Sequence, residues 1–310
     1  MSTPAAPRLA FVFPGQGSQS LGMLDAVPAP EDLDRLIDAA EALSGLPLRT
    51  IAADGPAERL ADTRASQPLL YLAGLGWARA LEAVGLEPAL VAGHSLGELA
   101  ALAYADVFSA EAGLQLVCER ARLMAMVGES TPGSMAAVIG MDPATVGAIV
   151  GDLSDVWVAN ENAPAQTIIS GTHRGIESAT RALSEAGARR IIPLRVSGPF
   201  HSPLMAPARD AFASILAETQ FRDARVPVLQ NTDPSPATAA DVIRARLVDQ
   251  IVSPVRWTDT LAAISDHGIE LVVEAGPGAV LASLARQWPG LAAVSADSDG
   301  LERVLEVVGS

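Results

Sequence analysis

The sequence is short of the residues that staple small domains and of those that grip polyanions. One cysteine, Cys118, in 310 residues excludes an internal disulfide and fits a reducing compartment. Cys118 lies in an apolar-flanked helical stretch with only Arg120 beside it to lower its pKa, so it reads as buried packing rather than as a nucleophile. Basic residues are scarce: 21 Lys+Arg against 36 Asp+Glu leave a formal net charge of -15. With no basic block anywhere, a surface that tracks nucleic-acid phosphates is not expected. No apolar run approaches the roughly 20 residues of a membrane span. The segment from Met1 to Arg8 lacks the charged-then-apolar order of a secretory leader. These absences together predict a soluble, unexported, cytoplasmic protein with neither nucleic-acid nor membrane partners.

What is present is apolar bulk, 49% of residues, enough to bury a large core. Leu9 to Phe13 reads as a buried strand that stops at the turn Pro14-Gly15-Gln16-Gly17. Helical stretches follow at about Pro30 to Leu43 and Gln67 to Val84. A second strand, Ala89 to Ala92, runs into Gly93-His94-Ser95-Leu96-Gly97 and an alanine-rich helix from about Glu98 to Ala105. Strand, tight turn and helix form the unit of a parallel sheet. After a helix from about Ala110 to Val127 the texture changes. Strands at Ser134 to Ile139, Val156 to Asn160, Gln166 to Ser170 and Arg190 to Val196 alternate with helices at Pro143 to Val150 and His173 to Ala186. That β-α-β-β-α-β order is the ferredoxin-like pattern. The fold class is therefore α/β: a parallel-sheet, hydrolase-like large domain of residues 1–127 and 198–310 with a small ferredoxin-like insert of residues 128–197. In the second half of the large domain, helices are expected at Pro207 to Glu218, Ala239 to Val248 and Trp257 to His267. Strands are expected there at Val226 to Leu229 and at Leu271 to Glu274, before Gly276-Pro277-Gly278.

A Gly-x-Ser-x-Gly between strand and helix puts the serine on a sharp elbow beside the free N–H groups of the helix start, which marks Ser95 as a candidate nucleophile. A serine needs a base, and there are only four histidines. His94 is expected to point away at the elbow, His173 to sit at a helix start in the insert, and His267 to be a solvated cation at a helix end. His201 lies in the proline-stiffened polar loop Ser197-Gly198-Pro199-Phe200-His201-Ser202-Pro203 and has no apolar helical face to fill. It is the candidate base, with a structural loop histidine as the ordinary alternative. Arg120 shares a helix face with Met124 and offers a guanidinium for a carboxylate or phosphate. Pairing with Glu119 or reaching out to solvent is the alternative there.

Four segments, Phe13-Pro14-Gly15-Gln16-Gly17-Ser18-Gln19, Gly93 to Glu98, Gly198 to Ser202 and Glu274 to Gly278, resemble in order and spacing the malonyl-CoA:acyl carrier protein transacylases, over essentially the whole chain. The resemblance implies that Ser95 is the nucleophile and His201 its base, with a backbone carbonyl near Gln250 orienting the imidazole. It further implies that Gln16 and Leu96 supply the oxyanion N–H groups, that Arg120 holds the malonyl carboxylate, and that Gln67, Asn160 and Asn162 line the pocket. Phe200 would crowd an α-methyl branch, favouring malonyl over methylmalonyl. The implied reaction moves malonyl from malonyl-CoA to the phosphopantetheine thiol of an acyl carrier protein for fatty acid synthesis, in a monomer without bound cofactor or metal. Ala279 stands where some relatives carry a lysine, which leaves Arg189, Arg190 and Arg286 as the candidate contacts to an acidic carrier.

Several other readings remain. The same chemistry would serve a polyketide synthase or the malonyl-loading step of a malonate decarboxylase. An α/β-hydrolase esterase would use His267 with Asp233. An inactive scaffold that binds carrier protein would not need Ser95, His201 and Arg120 together.

Overall fold

A computed structural model describes residues 7–28 and 33–309; the helix start expected at Pro30, and most of the segment from Met1 to Arg8, lie outside them. In chain order, β1 (Leu9–Phe13) is followed by α1 (Leu33–Ser44), α2 (Leu48–Asp54), α3 (Ala57–Ala61) and α4 (Thr63–Ala83), and β2 (Leu90–Gly93) by α5 (Gly97–Tyr104) and α6 (Ala110–Ser130). Next come β3 (Gly133–Ile139), α7 (Pro143–Gly151), β4 (Val156–Ala163), β5 (Gln166–Thr172), α8 (His173–Glu185) and β6 (Arg190–Pro193). The chain returns through a short 3-10 turn, Pro203–Met205, to α9 (Ala206–Glu218), β7 (Val228–Leu229), α10 (Ala240–Asp249), α11 (Trp257–Asp266), β8 (Leu271–Glu274), α12 (Val280–Ala285), β9 (Ala292–Ser295) and α13 (Leu301–Gly309).

The larger sheet is all parallel, in the order β7-β2-β1-β8-β9. Its central strand β1 is buried along its whole length because helices cover both faces. Successive side chains divide between two cores, Leu9, Phe11 and Phe13 entering one and Ala10 and Val12 the other. Each large side chain so buried contributes about 1.5–3 kcal/mol. Parallel strands end on the same edge, so the loops after β1, β2 and β8 gather at one end of the sheet, where open α/β sheets place ligands.

The second sheet is antiparallel, in the order β4-β5-β3-β6. With α7 and α8 packed on it around Val138, Val146, Ile169 and Leu183, it has the ferredoxin-like arrangement expected from the element order. Each of its helices opens on a side-chain cap, Asp142 for α7 and Thr172 for α8. Backbone bonds tie the antiparallel sheet to the loop between α10 and α11: Glu161 N–H donates to the Val255 carbonyl at 2.9 Å and Val255 N–H to the Ala159 carbonyl at 2.8 Å. These bonds leave β4 irregular, with register shifts on either side of Asn160 and Glu161.

Sequence patterning did not reveal α2, α3, α12, α13 or β9. The first three are only 7, 5 and 6 residues long, and β9 is a four-residue edge strand, too short for periodicity to register. Strand β6 stops at Pro193 rather than at Val196, and residues 194–196 run along the cleft instead.

Candidate active site

The site begins with the elbow between β2 and α5. A side chain at Gly93 would strike the backbone of Gly97 and Glu98, and one at Gly97 would strike the Phe13 carbonyl. Glycine at both positions lets strand, turn and helix close up against the β1 loop. Ser95 then sits at φ 52°, in the left-handed region that costs an ordinary residue roughly 1–2 kcal/mol.

His201 also has positive φ, 55°, in the loop that returns from the antiparallel sheet. Its Nε2 is 2.7 Å from Ser95 Oγ. Its Nδ1 is 3.1 Å from both the Gln250 and the Ser253 carbonyl oxygens. Two acceptors facing Nδ1 place the ring hydrogen there, so Nε2 is left as an acceptor for the serine hydroxyl. Burial, then the Arg120 cation and the neighbouring His94, push the imidazole down to about 3, although the two carbonyls oppose this. The ring is therefore neutral at physiological pH, in the state that can take a proton.

Arg120, on α6, is 1% exposed. Its Nη1 donates to Gln67 Oε1 at 2.7 Å and its Nη2 to Gln250 Oε1 at 2.9 Å and to Ser95 Oγ at 3.2 Å. Burial lowers its pKa to about 10, with Glu98 pulling the other way, so it remains a cation at pH 7. Glu119, its sequence neighbour, pairs instead with Arg122 on the surface at 2.7 Å. No carboxylate is in ion-pair contact with Arg120 among the described residues, and its buried Nε has no partner. The helix thus carries a guanidinium with no carboxylate in contact to the side of the elbow hydroxyl.

Gln16 and Leu96 flank Ser95 from the β1 loop and the start of α5. Neither backbone N–H is drawn into a hydrogen bond with another described residue, while the Gln16 side chain is fixed by Thr63 Oγ1, which donates to its Oε1 at 2.7 Å. The hydroxyl opens into a cavity of about 90 Å³ lined by Gln16, His94, Met124, Asn160, Phe200 and His201. Larger surface hollows exist, one of about 520 Å³ beside Cys118, but they hold no nucleophile and base. The Cys118 thiol itself is pushed up to about 12 by burial.

The acyl transferase domain family matches residues 10–291. The chain is 39% identical over 281 residues to the malonyl CoA-acyl carrier protein transacylase of Synechocystis, covering 90% of this chain and 93% of the relative. It is 36% identical over 288 residues to that of Bacillus subtilis, with 90% of each covered. The chain belongs to the malonyl CoA-acyl carrier protein transacylase family. Among solved transacylase structures it resembles that from Coxiella burnetii with a TM-score of 0.91 at 34% identity, covering 98% of this chain and 97% of the other. It also resembles a malonyl-transacylase crystallised with its type II polyketide synthase acyl-carrier protein, with a TM-score of 0.90 at 34% identity, covering 97% and 99%.

Other residues expected from transacylase resemblance fall in two groups. Gln67 and Gln250 hold Arg120, whereas Asn160 and Asn162 on β4 meet His94. His94 Nε2 lies 2.9 Å from Asn162 Oδ1 and 3.3 Å from Asn160 Nδ2. His94 therefore does not point away from the elbow: it forms part of the cavity wall, packed 5.5 Å from the Trp257 ring. Asn160 Oδ1 is buried without a partner. Phe200 lies at the cavity edge with Met124, Met135 and Ile168. Of the basic candidates, Arg286 is already paired with Asp299 at 2.9 Å, and Arg189 and Arg190 are exposed. Ala279, in the place of a lysine, is the residue before α12.

The esterase alternative has no assembled triad. His267 Nδ1 is bound to the Ala263 carbonyl at 2.7 Å, and Asp233 pairs with Arg246. Sequence reasoning missed two buried polar residues around the elbow, Glu98 and Asn231. For Glu98 a signal existed, an acid in the first turn of an otherwise apolar helix; for Asn231 none did.

Proposed function

We propose that the chain transfers malonyl from malonyl-CoA to the phosphopantetheine thiol of an acyl carrier protein by a two-step exchange through Ser95, supplying malonyl units for fatty acid synthesis. The observation that carries this reading is Arg120: a buried guanidinium that touches only neutral amides and the Ser95 hydroxyl. A buried ion with no counterion in contact costs several kcal/mol, and a substrate carboxylate placed one short acyl chain from the attacked carbon would supply that contact. Acetyl would not.

In the first step Ser95 Oγ gives its proton to His201 Nε2 and forms a bond to the thioester carbon. The carbonyl oxygen, now an oxyanion, accepts from the Gln16 and Leu96 N–H groups. The carbon–sulfur bond then breaks, and coenzyme A leaves with the proton carried by His201. In the second step the pantetheine thiol gives its proton to His201 and attacks the Ser95 ester, and the serine recovers its hydrogen as malonyl leaves on sulfur. The chemistry needs no resident cofactor. Among the described residues no group of three or more His, Cys, Asp or Glu side chains is set to hold a metal.

We take residues 128–197 as a domain that supplies one wall of the cleft, and the protein as a cytoplasmic monomer. The described helices include none long and apolar enough to cross a membrane. Phe200 at the cavity edge favours malonyl over its α-methyl homologue. The chain has no lysine, so an acidic carrier would dock on arginines, of which Arg189 and Arg190 are free to serve. The polyketide carrier bound by one similar transacylase supports a polyketide synthase as the second destination for the same chemistry.

Incubation with labelled malonyl-CoA and rapid acid quenching tests the reading. Label is expected on Ser95, is expected to move to holo-carrier protein on its addition, and is absent in Ser95→Ala. Label that appears only as free malonate, with no serine adduct, would exclude a transferase.

A further inference from the structure

The ladder between β2 and β7 runs through two rungs, Val91 with Val228 and Ala92 with Leu229, and then β2 must turn into the elbow. Beyond that point Asn231 continues the pairing with its side chain. Its Nδ2 donates to the Gly93 carbonyl at 2.6 Å and its Oδ1 accepts from Ser95 N–H at 2.7 Å. One planar amide therefore clasps the two backbone groups on either side of His94. Asn231 is itself held at both ends of its backbone: its N–H donates to Glu98 Oε2 at 2.8 Å and its carbonyl accepts from Arg256 N–H at 3.1 Å. Glu98 is fully buried, and its other oxygen accepts from Gln230 Nε2 at 3.1 Å. The helix that follows the elbow thus sends back a carboxylate to fix the residue that clasps the elbow.

We infer that Asn231, anchored by Glu98, is a positioning residue for the acyl exchange: it holds Ser95 in its left-handed conformation and takes the Ser95 N–H out of the cleft, so that the oxyanion is left to Gln16 and Leu96. The inference rests on the reading of Ser95 as nucleophile. Apolar filling would not need an amide here, since a leucine at 231 would leave the Gly93 carbonyl and the Ser95 N–H buried and unpaired. With both groups satisfied, the hydroxyl keeps its 2.7 Å approach to His201. Neither Asn231 nor Glu98 lines the cavity.

The test compares the parent with Asn231→Ala and Glu98→Gln by two readouts of Ser95: steady-state malonyl transfer from malonyl-CoA to holo-carrier protein, giving kcat and KM, and the rate of labelling by a small fluorophosphonate. A displacement of about 1 Å costs reactivity of the order of 100-fold. Asn231→Ala is expected to lose about that much in both rates, with KM within about threefold of the parent. Glu98→Gln, which keeps the shape of the side chain, is expected to lose about tenfold in the same pattern, and it carries the test if the alanine variant fails to fold. Fluorophosphonate labelling within twofold of the parent in a folded variant overturns the inference, as does a rise in KM with kcat unchanged. A parent that is labelled by fluorophosphonate at Ser95 but not by malonyl-CoA would instead sink the malonyl reading and leave the role of Asn231 standing.

Discussion

The two walls of the cleft are built differently. On the parallel-sheet side the reactive groups are each held from several directions: His201 by two carbonyls and a hydroxyl, Arg120 by two glutamines and the same hydroxyl. Gln250 ties them together, since its carbonyl meets His201, its side-chain oxygen meets Arg120, and its Nε2 donates to the Ser95 carbonyl at 2.9 Å. The antiparallel-sheet side presents Met135, Ile168 and Asn160, side chains that give shape and a hydrogen-bonding edge but cannot exchange a proton. Geometry is held from several directions around the proposed nucleophile and base, whereas the other wall includes an adaptable methionine, Met135.

Two histidines lie close to Ser95, the buried His201 and the partly buried His94, which bonds to the β4 asparagines of the other wall, and exchanging their fates is the most severe way to break the comparison. His201→Ala removes the proposed proton acceptor, and malonylation in a rapid-quench assay is expected to fall by about 10³- to 10⁴-fold, roughly 4–5.5 kcal/mol of barrier. Asn162→Ala, which frees His94 on the wall, is expected to lose no more than about tenfold. Equal losses would mean that the wall takes part in the chemistry.

Arg120→Ala probes the same divide by substrate. Removing a buried partner of a carboxylate typically costs about 3–5 kcal/mol, so kcat/KM for malonyl-CoA is expected to drop by about two to four orders of magnitude. For acetyl-CoA, which has no carboxylate to place, the drop is expected to stay under about tenfold. Lysine at 120 is not expected to restore malonyl use, because an ammonium cannot keep Gln67 and Gln250 bonded while presenting two parallel N–H groups. An equal loss for both thioesters in steady-state assays would remove Arg120 from carboxylate recognition.

Much of the parallel-sheet side was legible in the sequence because its signals are local. A strand, two glycines and a helix start specify the Ser95 elbow within a few residues, and the β-α-β-β-α-β order specified the second sheet. His201 was less so: its loop was recognisable, but the 2.7 Å approach to a serine 106 residues away is a product of tertiary packing. What escaped were groups whose role is set wholly by partners distant in sequence. Asn231 follows a two-residue strand and has no periodic or capping context, and nothing local distinguishes it from a turn asparagine. His94 was misjudged for the same reason, since Asn160 and Asn162 reach it from another sheet.

The pH dependence sharpens the comparison most finely, because the protein buries ionisable groups of opposite sign, one in the site and one outside the cavity lining. Burial pushes His201 in the site down to about 3, below the ordinary value near 6.5. The folded state then binds fewer protons than the unfolded one, so this group contributes stability that is present above pH 6.5 and lost as pH falls toward 3. Glu274, which does not line the cavity, is pushed up to about 7 by burial even though Ala282 N–H and its neighbours favour the charged form. A raised carboxyl has the reverse effect: its contribution is present below about 4.5 and lost as pH rises through 7. Differences between parent and variant isolate each group. In thermal unfolding, the parent is expected to lose stability relative to His201→Ala as pH falls from 6.5 to 4, and relative to Glu274→Gln as pH rises from 5 to 8. The single-turnover malonylation rate should run nearly level from pH 8 to 5.5, since the base remains neutral throughout. A rate that halves near pH 6.5 would mean that the imidazole is solvated in the working enzyme, and that the desolvated clasp around Ser95 opens during turnover.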